Sequence, residues 1–251
     1  GIFMYYNVRE NKIFSTDAEA SSLYNPSISG SIIAFVTYEP DGVDLDGNGS
    51  SYNGVVQYFD KTNGKVFNTK GIASSCTPRV SGNIIAFITE ELEYGRDLNG
   101  DGDIGDRVLR YFDVSNNKLV NTGAESLGGD GYTIFGDKIA FLSLESTVGS
   151  GGMDLNGDGD KNDFIVRYFD ISLGRIINTG AELKVFRNTK LSMSEYLIAF
   201  VTPEAYVGRD LNGDGDTNDD VLRYYDLSTG TIVNTTAEIY VSEPYVSNPS
   251  V

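Results

Sequence analysis

The chain has 251 residues, 40% of them hydrophobic, which is enough for a sizeable core and too apolar for a disordered segment. Its formal net charge of −17 repels nucleic acid and anionic lipid and argues against both as partners. Histidine is absent and cysteine occurs once, at Cys76, which excludes an internal disulfide, a Cys/His metal cluster and an imidazole base.

In chain order, the sequence opens on the strand-like run GIFMYYNV. No signal peptide is visible there, and the start reads as a processed or trimmed product, so missing targeting says nothing against secretion. A short strand, PSIS at Pro26, comes next, then the apolar strand IIAFVT from Ile32. The acidic loop DLDGNGSSYNG follows from Asp44, then VVQYFD, the turn KTNG and the strand KVFNT. The same order returns with PRVS at Pro78, IIAFIT from Ile84, DLNGDGDIGD from Asp97, VLRYFD, VSNN and KLVNT. It returns again with YTIF at Tyr132, KIAFLS from Lys138, DLNGDGDKND from Asp154, IVRYFD, ISLG and RIINT. The last round is KLSM at Lys190, LIAFVT from Leu197, DLNGDGDTND from Asp210, VLRYYD, LSTG and TIVNT. The chain closes on EPYVSNPSV, which matches the first strand of a unit. No apolar run approaches the ~18 residues of a membrane span.

Successive acidic loops are offset by 53, 57 and 56 residues, a period that belongs to propeller blades or arrays. The runs are β-branched and aromatic, the turns carry Asn, Gly and Ser, and no amphipathic helix of useful length is apparent. Each unit therefore reads strand, strand, acidic loop, strand, turn, strand. Four antiparallel strands repeated about an axis make a β-propeller blade. The expected fold is all-β: a single propeller domain over residues 1–251, of five four-stranded blades with the closing blade incomplete. The units cover approximately residues 26–70, 78–122, 131–180 and 188–236, with residues 1–19 and 240–251 sharing the closing blade. Residues 2–6 and 245–247 should then lie in one sheet, or each pair with a neighbouring molecule. The strand pair before each loop and the YFD hairpin after it resemble the blades of TolB-like and WD40-like propellers. That resemblance implies an architecture and leaves function open.

Oxygen side chains recur in each loop at positions 1, 3, 5, 7 and 10. In the second loop these are Asp97, Asn99, Asp101, Asp103 and Asp106. In the third they are Asp154, Asn156, Asp158, Asp160 and Asp163, and in the fourth Asp210, Asn212, Asp214, Asp216 and Asp219. The opening matches the start of an EF-hand loop, where alternate oxygens fold onto Ca²⁺. Position 7 is where an EF-hand loop offers a backbone carbonyl, so the side chains of Asp103, Asp160 and Asp216 have the less defined role. Two departures stand out: strands flank the loop, and position 12 holds Val55, Val108, Ile165 or Val221 in place of Glu. Short loops of this kind between strands resemble the calcium loops of integrin-α-type propellers. The first loop offers Asp44, Asp46, Asn48, Ser50 and Asn53, with fewer charges and a weaker site expected. Four Ca²⁺ ions, three strongly held and one weaker, would bring the net charge from −17 to −9. An acid also recurs upstream of each loop, at Glu39, Glu91, Glu145 and Glu204. It either reaches the ion or caps a strand with solvated charge.

Two functions fit this pattern. One is a non-enzymatic, extracellular or cell-surface propeller whose interblade loops calcium stiffens. It would serve adhesion or assembly with other chains or glycans, and self-assembly through its incomplete sheet. The other is a lectin or glycan-active enzyme that uses Tyr24, Tyr38, Tyr52, Tyr94, Tyr132, Tyr206 and Tyr240. Arg110, Arg167 and Arg223 of the RY[FY]D runs should pair with nearby acids.

Overall fold

The computed structural model describes residues 2–21, 23–73, 76–129, 131–183 and 191–239. Strands β1 (Ile2–Asn7) and β2 (Lys12–Glu19) form an antiparallel pair. The next sheet is β3 (Ser27–Ser29), β4 (Ile32–Tyr38), β5 (Gly54–Asp60) and β6 (Lys65–Ile72), side by side in that order. The following sheet holds β7 (Arg79–Ser81), β8 (Ile84–Glu90), β9 (Arg107–Asp113) and β10 (Lys118–Glu125). Then come β11 (Tyr132–Phe135), β12 (Lys138–Leu144), β13 (Phe164–Asp170) and β14 (Arg175–Leu183). The last sheet is β15 (Ser192–Met193), β16 (Leu197–Pro203), β17 (Asp220–Asp226) and β18 (Thr231–Glu238). The fold is an all-β propeller in which each sheet is one blade. Residues 245–247, expected beside β1, lie outside the described residues.

The second strand of each blade shows why its sequence is a continuous apolar run and not an alternation. β4 is buried at six successive residues, Ile32 to Thr37, because a blade packs on both of its faces. Phe35, Phe87, Phe141 and Phe200 hold the same place in successive blades, each at most 1% exposed. Neighbouring blades also meet through their third strands. The YF pair puts Tyr58 against Phe112, Tyr111 against Phe169 and Tyr168 against Tyr225, with ring centroids 5.9–6.1 Å apart. Tyr5 of β1 meets Phe59 of β5 at 5.6 Å in the same manner, so the β1–β2 pair stands as the blade before β3–β6.

The short first strands are stitched by serines. Ser27 and Ser29 accept from the backbone N–H groups of Val80 and Gly82, each at 3.0 Å, and Ser81 accepts from Gly136 at 2.8 Å. The acidic loops join the second and third strands of one sheet, so they are intrablade and not interblade. This follows from the strand order, since the link between blades runs from the fourth strand to the next first strand. Among the described residues, three single turns of helix interrupt the β pattern at the loop entrances: α1 (Glu91–Tyr94), a 3₁₀ turn at Glu145–Thr147, and α2 (Glu204–Val207). Among the described residues, no helix is long and apolar enough to cross a membrane.

Candidate metal centre

The acidic loops fold on their own polar groups. In the second loop, the Asp97 carboxylate accepts from Gly100 N–H at 2.5 Å and Gly102 N–H at 3.0 Å. Gly100 and Gly102 have φ of +83° and +106°, a backbone that suits glycine. Asn99 Oδ1 accepts from Asp101 N–H, Asp101 from Asp103 N–H, and Asp103 from Gly105 N–H. Asp154 and Asp210 repeat the first arrangement with Gly157 and Gly159, and with Gly213 and Gly215. In the first loop Asp44 does so with Gly47 and Gly49, Asn48 accepts from Ser50 N–H, and Asn53 Nδ2 donates to Asp46. The two backbone N–H groups on Asp44 hold its carboxyl below the ordinary range.

The upstream glutamates are neither solvated nor strand caps. Glu39 is 8% exposed, and Glu91, Glu145 and Glu204 are 0% exposed. Glu91 Oε1 accepts from Leu98 N–H at 2.5 Å and Asn99 N–H at 3.2 Å, while Oε2 accepts from Asp106 N–H at 3.3 Å. Glu39 and Glu145 make the equivalent three bonds in their own blades. Glu204 holds Leu211 and Asn212 through Oε1, but its buried Oε2 has no hydrogen-bond partner. A second anchor comes from the fourth strand. Asn121 Nδ2 donates to Leu98 O at 2.5 Å, and Asn68 and Asn178 do the same to Leu45 O and Leu155 O. The Asn of the NT pair in the last strand is therefore a loop tether in the first three repeats, whereas Asn234 of the fourth accepts from Arg223 Nε at 2.9 Å.

These tethers bring carboxylates together. Ligand oxygens of Glu91, Asp103 and Asp106 lie within 4.8 Å of one another, as do those of Asp101, Asp106 and Glu125. The third loop repeats both groups, with Glu145, Asp160 and Asp163, and with Asp158, Asp163 and Glu182. In the first loop the group is Glu39, Asp44 and Asp46. Glu125 and Glu182 are missing from the sequence-based ligand set. Burial pushes the Asp106 carboxyl up, helped by Asp101, Asp103 and Glu91, and Asn99 offsets part of this. Burial does the same at Glu125, with Asp106 and Asp101 adding to it. In the fourth loop Asp219 is raised by desolvation and by Glu238, Asp214 and Asp216. Asn99 Nδ2 donates to both Asp106 and Glu125, at 3.0 and 2.7 Å, so an amide's positive end sits where those carboxylates converge.

A hard divalent cation fits this donor set. Every candidate ligand is an oxygen, the acidic side chains gather within the span of one coordination sphere, and Glu204 Oε2 is a buried oxygen left without a donor. Asp97, Asn99, Asp101, Asp103 and Asp106, with their counterparts in the other loops, are the residues that would hold it.

The other expected sites fare differently. Tyr132 is 1% exposed and buried in the core, so it has no face for a sugar, whereas Tyr52 is 82% exposed. Tyr240 lies outside the described residues. Arg110, Arg167 and Arg223 rest on aromatic rings, with the guanidinium carbon 4.9 Å from Tyr94, 5.8 Å from Phe141 and 5.7 Å from Phe200. Burial pushes the guanidinium groups of Arg167 and Arg223 below the ordinary arginine range, and the charges of Glu125 and Glu182, each across a blade seam, offset only part of this.

No protein-family model and no curated protein matches the chain. Among solved structures, it is similar to the β-propeller domain of the Trilobed protease from Pyrococcus furiosus. The TM-score there is 0.52 at 13% identity, over 86% of this chain and 57% of that one. It is also similar to TolB from Acinetobacter baumannii, with a TM-score of 0.47 and 14% identity over 91% and 47% of the two chains. A Mycobacterium tuberculosis puromycin-hydrolyzing peptidase gives 0.49 and 14% over 94% and 31%. The chain thus spans from about a third to just over half the length of these structures. At such identities the likeness is one of fold, and the match to the Trilobed protease domain agrees with the β-propeller seen in the sheet order.

Proposed function

We propose that the chain is a single calcium-binding β-propeller domain. It would act outside the cell or at its surface as a structural, adhesive or assembly module, with no catalytic step of its own. The observation that carries this is the repeated convergence of loop and strand carboxylates around a buried glutamate, in the pattern D-x-N-x-D-G-D. Bound calcium would supply the divalent charge that lets these acids crowd together. Three of the four loops have the full charge, and many sites of modest affinity suit the millimolar calcium found outside cells. Partners would be other protein chains or glycans met at the surface.

The test is thermal unfolding in millimolar Ca²⁺ against excess chelator, with the bound metal counted. A site at a hundredfold excess over its Kd adds about 2.7 kcal/mol. A raised melting temperature with about three to four ions per chain is expected. An unchanged melting temperature, or no bound calcium, would overturn the reading.

A further inference from the structure

An EF-hand loop places a bidentate Glu at position 12, where these loops have Val55, Val108, Ile165 and Val221. The strand register sets a residue of the neighbouring strand directly across from each. Glu125 faces Val108, Glu182 faces Ile165, and Glu238 faces Val221, whereas Ile72 faces Val55. A glutamate therefore stands across from position 12 in each of the three fully charged loops. An isoleucine stands there in the depleted one.

The side chains of Glu125 and Glu182 reach the right place, and Glu238 accepts from Asn212 Nδ2 of the fourth loop at 3.4 Å. A carboxylate oxygen of Glu125 lies within 4.8 Å of those of Asp101 and Asp106, and Glu182 relates in the same way to Asp158 and Asp163. Oxygens on opposite sides of one calcium ion stand about 4.6–5.2 Å apart, so each trio fits one coordination sphere. A separate sign that the loops suit a cation is Glu204. Its carboxylate is fully buried against the fourth loop's amides, and Oε2 has no donor.

We propose that Glu125, Glu182 and Glu238 are calcium ligands, supplying from the adjacent strand the carboxylate that the loops lack at position 12. This rests on the calcium reading above. Glu125 also accepts from Gly149 N–H of the following blade at 2.9 Å, and Glu182 from Arg209 Nη2 at 2.5 Å. An ion held by these glutamates is therefore tied to the next blade as well as to its own.

The test is calorimetric titration of the full chain with Ca²⁺, repeated with Tb³⁺ whose emission neighbouring tyrosines sensitise. Glu238 is exposed, so Glu238→Gln leaves the fold intact, and its melting temperature in chelator serves as the control. One tight site should weaken, on the order of tenfold or more, while that melting temperature stays unchanged. Glu125→Gln should weaken a different site, and the double variant should lose both. If the wild type binds no calcium, the calcium reading falls. If the wild type binds and both single variants keep every affinity, the cross-strand assignment alone is overturned.

Discussion

Tyr111 and Phe169 meet across the seam between two blades, with ring centroids 6.1 Å apart and planes tilted by 45°. Phe169 is 5% exposed, and its equivalents occupy the same place at the other seams. Truncation there removes core volume from two sheets at once. Phe169→Ala should cost about 3–5 kcal/mol in denaturant unfolding. Phe169→Tyr should cost less than about 1.5 kcal/mol, because Tyr225 already fills that position in the last blade. Equal losses for the two substitutions would refute the seam as the source of stability.

Tyr132 joins one blade to the segment that enters the blade before it. Its hydroxyl donates to Thr77 O at 2.5 Å inside the core. Tyr132→Phe keeps the ring and removes the donor, leaving that carbonyl short of a partner. About 1–2 kcal/mol should be lost. A neutral result would mean that other donors already satisfy Thr77.

The blade and its loop were legible in the sequence because both depend on local pattern. The apolar run from Ile84, the glycines at 100 and 102, and the YFD run read directly as a strand, a turn and the next strand. The place of Glu125 was not legible. From the hairpin turn, Lys118 pairs with Asp113, and a regular ladder would carry Glu125 to Asp106. A bulge between Asn121 and Ala124 shifts the pairing by two residues and sets Glu125 across from Val108. Thr122 and Gly123 form that bulge: the Thr122 hydroxyl donates to Leu109 O, and Gly123 takes φ +67°. Its register follows from three-dimensional hydrogen bonding, which residue spacing does not encode. Nor does spacing say that Glu91 is buried. Its position at a strand end reads equally as solvated, and only the packed loop above it decides.

Gly159 has φ +102° and open space where a Cβ would stand. Gly159→Ala therefore introduces backbone strain without a clash, of about 1–3 kcal/mol. Its N–H donates to Asp154, so the strain should loosen the carboxylates of the third loop. Calcium titration should show one weakened site and the rest unchanged. A uniform loss at all sites would indicate global unfolding instead.

The four loops should fill in order. Those beginning at Asp97, Asp154 and Asp210 carry four or more carboxylates each, whereas the one at Asp44 has two. Ligand charge tunes calcium affinity, so the Asp44 loop should be the last to bind. Anomalous diffraction at graded calcium would read the order directly. Strongest occupancy at Asp44 would reverse the assignment.

Cys76 offers a reporter of seam opening that needs no engineering. It is 2% exposed, lies on the link between two blades, and its sulfur accepts from Ile88 N–H at 3.2 Å. A thiol reagent needs the exposed thiolate, so modification must wait for the β6–β7 link to open. The rate should therefore follow the population of the open state. If calcium at the loop beginning at Asp97 stabilises the blade that follows the link, closure gains by mass action. At a hundredfold excess over Kd, one coupled site should slow modification about a hundredfold. The Asp97→Ala variant should lose most of that protection while modification in chelator proceeds at the wild-type rate. Rapid modification with and without calcium would show that the link opens independently of the loop.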